Sequence, residues 1–259
     1  MLLRENATQS SYNLRTVIPK IEVRDQRTTS LCWAFSFSSA IETTLAKRTN
    51  RDSKIYSAAH IEYRATQMFN RNLNDGGNGT MAVAYAVAGH GPVLEEEFPF
   101  SSVYNENDNN INNAYLVPIE EVNLEKNVSA KIEETTTFPN IYKKYENGIT
   151  KYYKDKSYLN EYTEEELQAV RKLLKDHIQN YGALTAGLYS DLKVDTEGNY
   201  SSDYFNSTNS AYAYLATAQN ANHAVTIVGW DDNYGIENFN ESFRPANPGA
   251  YIVLNSYGE

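Results

Sequence analysis

Cys32 is the only cysteine among 259 residues, so it has no disulfide partner within the chain. Three roles are open to such a thiol: a buried small hydrophobe, a stray surface group, or a nucleophile. Its setting favours the third. Cys32 opens the apolar run Trp33-Ala34-Phe35-Ser36, whose pattern is helical. The thiol then lies at a first turn, where unpaired backbone N–H groups and the positive end of the helix dipole favour a thiolate. Nucleophilic catalysis by a thiol also needs a base, a group that orients the base, and donors for the oxyanion. Of the four histidines, His60 and His177 fall in helical stretches and His90 in a turn, where histidine is ordinarily structural. His223 differs because it directly precedes Ala224-Val225-Thr226-Ile227-Val228, the most strand-like segment, where a side chain can be held rigidly at a sheet edge. Asn255 closes the last strand, and its side-chain carbonyl can accept the imidazole N–H and fix the tautomer. Gln26 lies six positions before Cys32, close enough for its amide N–H to reach an oxyanion beside the thiol. The backbone N–H of Cys32 is the second such donor. Scattered histidines and one cysteine show no metal-ligand spacing, so neither metal nor cofactor is expected.

The elements that must position these groups follow from periodicity. Residues 1–24 read as an extended arm with strand-like alternation of Val17, Ile18, Ile21 and Val23 around Pro19. From Cys32 a helix runs to Lys47-Arg48, with Trp33, Phe37, Ala40, Ile41, Thr44 and Leu45 on one face and Phe35 on another, as a central helix requires. A second helix is predicted over Ala58 to Phe69 and a third from Thr80 to about Gly89, separated by the glycine-rich turn Asp75-Gly76-Gly77-Asn78-Gly79. Residues 101–160 carry little pattern beyond possible strands at Ala114 to Val117 and Val128 to Ile132, and Tyr142 to Tyr162 reads as a solvated insertion or flap. Thr163-Glu164-Glu165-Glu166 is a capping box opening a helix with Leu167, Val170, Leu174 and Ile178 as its buried stripe, ended by Gly182. Strands follow at Ala183 to Tyr189, Ala224 to Gly229 and Ala250 to Asn255. Helices first and sheet second give an α+β fold of two parts facing across a groove.

Composition narrows the partners. The 33 acidic against 23 basic residues leave a formal charge of −10, which disfavours nucleic acid or anionic lipid. No run reaches the roughly 20 apolar residues of a membrane span, and Met1 to Asn6 lacks the apolar core of a secretory signal. A single domain over 1–259 is expected, with a helical lobe at about 25–110 and a β-rich lobe at about 111–259 joined by the arm 1–24.

Three motifs, in order, resemble the papain-like (C1) cysteine peptidases: Gln26 to Ser36, Asn222-His223-Ala224-Val225-Thr226-Ile227-Val228-Gly229-Trp230, and Asn255-Ser256-Tyr257-Gly258. The likeness extends over most of Tyr12 to Glu259, and Tyr12-Asn13-Leu14-Arg15 with Gly229-Trp230-Asp231-Asp232-Asn233-Tyr234 is similar to bacterial secreted or cell-surface members. The resemblance implies the papain-like two-lobe fold, with a β-barrel-like second lobe. It also implies a cysteine endopeptidase in which Cys32 is the nucleophile, His223 the base and then acid, Asn255 the orienter and Gln26 an oxyanion donor. Gly76 and Gly77, with Asn222 and Trp33, would line an extended substrate. A protein or peptide substrate, a monomeric state and an extracellular or cell-surface location follow from the same likeness.

The chain departs from the pattern at Thr29, where most members have a second cysteine, at Leu31, and at Tyr257, which replaces a tryptophan that shields the His–Asn hydrogen bond. It also stops at Glu259 where the family continues with further strands, so it reads as a fragment. Two other readings compete: a weakly active or inactive surface module for binding or adhesion, and a structural protein with a merely buried cysteine.

Overall fold

Three of the four α-helices among the described residues begin on a side chain that caps them; the helix carrying Cys32 does not. The computed structural model describes residues 7–105, 107, 123–194, 199–215 and 219–258. Helix α1 (Cys32–Thr49) starts after Leu31, which makes no side-chain cap. Helix α2 (Ala58–Phe69) is capped by Ser57 Oγ, which accepts from the His60 N–H at 3.0 Å. Helix α3 (Gly79–Val87) is capped by Asn78, and α4 (Glu164–Asn180) by the reciprocal pair of Thr163 and Glu166. The uncapped start of α1 leaves its first N–H groups free to meet something other than the chain's own side chains.

The predicted apolar face of α1 is only partly the buried one. Trp33 and Ile41 are buried, whereas Phe37, Ala40, Thr44 and Leu45 are half-buried and border an open groove. The deepest face instead carries Phe35, Ser38, Ser39 and Glu42. Polar residues sit there because Arg24 of the arm inserts against them. Its Nη2 lies 3.0 Å from Glu42 Oε1 and donates to Ser38 Oγ at 2.6 Å, while Nη1 donates to the Tyr56 carbonyl at 2.8 Å. A hydropathy stripe cannot register a face buried by an ion pair.

The arm also differs from expectation. Its strand, β1 (Ser11–Asn13), lies before the predicted alternation and is followed by a short 3-10 turn, Leu14–Thr16. Val17 to Val23 form no strand: Pro19 offers no N–H and Lys20 takes a φ of 62°, so the extended geometry breaks. Ile18 and Ile21 are nonetheless buried.

The predicted strand at Val128 to Ile132 is absent; the segment is held by the Ser129 N–H, which donates to the Pro92 carbonyl at 2.8 Å, and Val128 is exposed. Ala114 to Val117 lies outside the described residues. The stretch read as a flap contains a hairpin, β2 (Tyr142–Glu146) with β3 (Ile149–Tyr153), turned by Asn147-Gly148, both at positive φ. Asn-Gly is the pair such two-residue turns favour.

After α4 come β4 (Leu184–Leu188), the short pairs β5 (Lys193–Val194) with β6 (Tyr200–Ser201) and β7 (Phe205–Asn206) with β8 (Ala211–Tyr212), then β9 (His223–Asp231) and β10 (Ala250–Leu254). Strand β9 is central. On one side it pairs antiparallel with β4, His223 opposite Leu188, and with β1, Ser11 opposite Asp231; β10 pairs on the other, Leu254 opposite Thr226. Among the described residues this sheet is open, not a closed barrel. The fold is mixed α+β, and the buried apolar residues form two clusters. One joins α1, α2 and α3 through Trp33, Ile61, Tyr63 and Tyr85; the other joins the arm, α4 and the sheet through Leu14, Ile178, Val228 and Trp230. Helix α1 is tied directly to β9, since Ser36 Oγ donates to the Val225 carbonyl at 2.8 Å and Thr226 Oγ1 to the Ser36 carbonyl at 3.2 Å.

Candidate active site

Those two hydrogen bonds lie one helical turn from Cys32 and two and three residues from His223, so they hold the segments that carry the two residues together. The thiol, half-buried at the first residue of α1, interacts with the backbone N–H of Ala224, the residue after His223, and with the N–H groups of Cys32 and Trp33. His223 is 9% exposed at the first position of β9. Its Nε2 lies 2.7 Å from Asn255 Oδ1. Pairing of Leu254 with Thr226 is what delivers Asn255 to that place. Because a carboxamide oxygen can only accept, Nε2 bears the proton of the neutral ring and Nδ1 is left with the lone pair. Cys32, His223, Gln26, Gly76 and Gly77 border one open groove, while Asn255 lies behind it.

Gln26 is 6% exposed and locked from both ends. Its Oε1 accepts from Ser256 Oγ at 2.6 Å, its Nε2 donates to the Thr29 carbonyl at 2.5 Å, and its backbone N–H donates to the Ser256 carbonyl at 2.8 Å. A carboxamide has two N–H groups, so one remains for the groove. Of the other predicted substrate-lining residues, Gly76 takes a φ of 72°. Gly77 rests on the Trp33 indole so closely that a Cβ there would lie 2.1 Å from Cε2 of Trp33. Trp33 itself is 2% exposed, so it supports the glycine pair from beneath rather than offering a face to the groove. The Asn222 side chain is committed to Ser190, accepting from its N–H and donating to its carbonyl, both at 2.8 Å. Two of the remaining histidines are structural: His60 is fully buried between the Tyr85 hydroxyl and the Leu124 carbonyl, and His177 packs against Phe138 and Tyr181.

Burial works against the thiolate that the helix start favours. Burial pushes the Cys32 thiol up, outweighing the three backbone N–H groups that favour the anion. Burial also pushes His223 down, against the hydrogen bond it donates to Asn255. Desolvation penalises the charged form of each group taken alone.

Two residues escaped the sequence reading, Ser256 and Glu62, whereas Tyr257 stands where a shielding aromatic was expected. Ser256 joins Gln26 to the strand end, and nothing in its spacing announces that. Tyr257 stacks on the His223 ring, centroids 4.9 Å apart. Glu62 stands on the buried face of α2, which its spacing of four from Ala58 and three from Ala65 would have revealed. It is 0% exposed, and neither oxygen meets a partner in good hydrogen-bond geometry. Burial lifts its carboxyl to about 7 from 4.5, opposed by Arg71 and by the nearby Asn74 backbone and Trp33 indole. In the unfolded chain this acid ionises from about pH 4.5, whereas in the folded chain it keeps its proton to about 7. Its contribution to stability is therefore full below 4.5 and lost as pH rises through 7. Relative to Glu62→Gln, the wild type should lose about 3 kcal/mol between pH 4.5 and 8, measured by urea unfolding at a series of pH values. Parallel pH curves for the two proteins would refute this.

Comparison with known proteins identifies the family. The family profile described as papain family cysteine protease matches residues 8–259. No curated protein sequence matches the chain. Among solved structures it is similar to the clostridial cysteine protease Cwp84 after propeptide cleavage, at 25% identity and TM-score 0.59, over 96% of this chain and 51% of that one. The cysteine protease and lectin-like domains of Cwp84, a surface layer associated protein of Clostridium difficile, align at 24% identity and TM-score 0.61, over 99% of this chain and 46% of that one. Digestive procathepsin L 3 of Tenebrio molitor larval midgut aligns at 17% identity and TM-score 0.54, over 98% and 63% of the two chains. The last two speak to fold alone, and the chain spans about half the length of the Cwp84 chains. With the profile matching from residue 8 to residue 259, this chain belongs to the papain family of cysteine proteases.

Proposed function

We propose that the chain is a cysteine endopeptidase working through a thioester acyl-enzyme, with Cys32 as nucleophile, His223 as base and acid, Asn255 as orienter and Gln26 as oxyanion donor. The observation that carries this reading is the 2.7 Å contact of His223 Nε2 with Asn255 Oδ1 beside a thiol held at the open start of a helix. The thiol proton passes to Nδ1 as sulfur attacks the scissile carbonyl. The oxyanion takes the second N–H of Gln26 and the backbone N–H of Cys32, two donors for the charge that develops there. His223 then returns the proton to the leaving amine, and afterwards activates the water that cleaves the thioester and regenerates the thiol. Gly76 and Gly77 offer backbone groups to an extended peptide over the face supported by Trp33, with Asn222 at the His223 end.

In this reading the groove parts a helical lobe at about 25–110 from a β-rich lobe at about 111–259, and the enzyme acts as a monomer on protein or peptide. An extracellular or cell-surface location is supported by the likeness to Cwp84. Among the described residues no helix is long and apolar enough to cross a membrane.

Two measurements test the proposal. Alkylation of Cys32 by iodoacetamide at neutral pH should slow when His223, the acceptor of the thiol proton, is replaced by alanine, and Cys32→Ala should abolish peptide hydrolysis. Peptide binding that survives Cys32→Ala, with no turnover by the wild type, would point to a binding module instead.

A further inference from the structure

Three buried polar atoms that meet no partner in good hydrogen-bond geometry lie together beneath the glycine pair: Nε1 of Trp33 and the two oxygens of Glu62. Trp33 is the support of that pair. A Cβ added to Gly77 would lie 2.1 Å from its Cε2 and 2.4 Å from Nε1, so the indole sets the level of the glycine backbone. The Asn74 backbone N–H also stands near the carboxyl. Asn74, at a φ of 72°, ties the same loop to the approach of Cys32, because its Oδ1 accepts from the Ser30 N–H at 2.5 Å. Glu62 of α2 thus sits where the start of α1 and the loop 70–77 meet under the groove. Buried groups left unmatched in this way call for an explanation.

We propose that Glu62 is a positioning residue for the substrate strip: once ionised, it draws the Trp33 and Asn74 N–H groups onto its two oxygens and sets Gly76 and Gly77 at the level where an extended peptide binds. This rests on the function proposed above, in which those glycines meet the substrate. Both neighbours are donors, so the proton of the neutral acid serves neither, whereas a carboxylate offers each an acceptor oxygen and holds it more strongly. The other groups around Glu62 are few. From α1 there is Cys32, whose thiolate an ionised Glu62 opposes. From the loop after α2 come Arg71, which favours the ionised form, and Asp75, which opposes it. Helix α3 has no charged side chain, and its one phenol, Tyr85, is paired with His60 at 2.9 Å. Burial places the titration at about 7, so both forms are populated near neutrality. Ionisation weakens the fold against the unfolded chain, and within the fold it favours the closed arrangement of the two donors; these are separate equilibria. By linkage, a bound peptide favours the ionised acid by the same factor as ionisation favours the peptide.

The chain has two tryptophans, so its indole N–H groups give two NMR signals and one is a built-in control. Trp230 Nε1 donates to the Gln9 carbonyl at 3.2 Å, away from Glu62. In the Cys32→Ala protein the Trp33 signal should titrate with a midpoint near 7, and the added Glu62→Gln substitution should abolish that titration while Trp230 stays unchanged in both. Glu62→Met serves in its place if the amide does not fold. The same proteins are mixed with fluorescein-labelled casein, an unfolded polypeptide, and affinity is read by fluorescence anisotropy. Between pH 6 and 8 the affinity of Cys32→Ala should rise about five-fold relative to that of the double variant, the worth of one ordinary hydrogen bond. A Trp33 signal that titrates alike with and without Glu62 would overturn the proposal, as would a ratio of affinities that is flat with pH. If casein binds with the expected pH dependence but the protein with its thiol never cleaves it, the peptidase reading fails and the role of Glu62 stands. Cleavage with a flat ratio spares the peptidase and removes Glu62.

Discussion

His223→Ala is expected to lower kcat/KM on a peptide substrate by about 10⁴-fold or more, while leaving the urea midpoint close to that of the wild type. The size follows from where the ring stands. Burial already opposes the Cys32 thiolate, and the backbone N–H groups of Cys32, Trp33 and Ala224 do not compensate. Without an acceptor at Nδ1, the thiol must ionise alone in a poorly solvated place, and no group remains to protonate the leaving amine. Alkylation should show the same change: the variant's rate should climb only at alkaline pH, as for an ordinary buried thiol. The effect of Asn255→Ala should be smaller than that of His223→Ala, because the imidazole persists and only its tautomer and orientation are released. A His223→Ala protein that keeps more than about one per cent of wild-type activity would mean that another base serves Cys32.

The second large effect concerns stability. Arg24 and Glu42 form an ion pair at 3.0 Å with side chains 9% and 1% exposed. Arg24 also reaches Ser38, Ser39, the Tyr56 carbonyl and the face of Phe35, and Glu42 accepts from the Tyr56 N–H at 3.0 Å. Glu42→Ala should cost about 3–5 kcal/mol, because it strands a buried guanidinium and a buried N–H together. Joint replacement, Arg24→Met with Glu42→Leu, should cost clearly less than Glu42→Ala alone, since removing both charges spares their desolvation. Urea unfolding of the single and double variants decides it, and additive losses would contradict a coupled pair. The pair also bears on chemistry. The Arg24 carbonyl accepts from the Gly258 N–H at 3.1 Å, so a loosened arm frees the segment that carries Ser256 and Tyr257.

Much of this was legible in the residues, for identifiable reasons. Cys32 could be singled out because it is unique and precedes a helix, His223 because it meets a β-branched run, and Asn255 because it ends a strand. The helix at Ala58–Phe69 was readable to the residue, since its stripe, its cap and its αL terminator Asn70 all agree. What was not legible is of three kinds. The hairpin at Tyr142–Tyr153 hid because Lys and Tyr obscure its alternation, although Asn147-Gly148 marked its turn. The true inner face of α1 hid because Ser38, Ser39 and Glu42 are buried by Arg24, and an ion pair has no hydropathy signal. The charge state of the thiol hid because helix position argues for the anion and burial against it, and only the fold sets their balance.

The hydrogen bond from Ser256 to Gln26 spans 230 positions, and so dates the site within the life of the molecule. As the chain is synthesised, Cys32 emerges early and its helix can form, but neither the anchor of Gln26 nor the partner of His223 exists until residues 255 and 256 arrive. So long a loop closes late in folding as well. A partly made or partly folded chain therefore carries an inert thiol. Under the proposed mechanism, catalytic competence waits for residues 255 and 256 to take their places, which spares the chain and its neighbours from earlier cleavage.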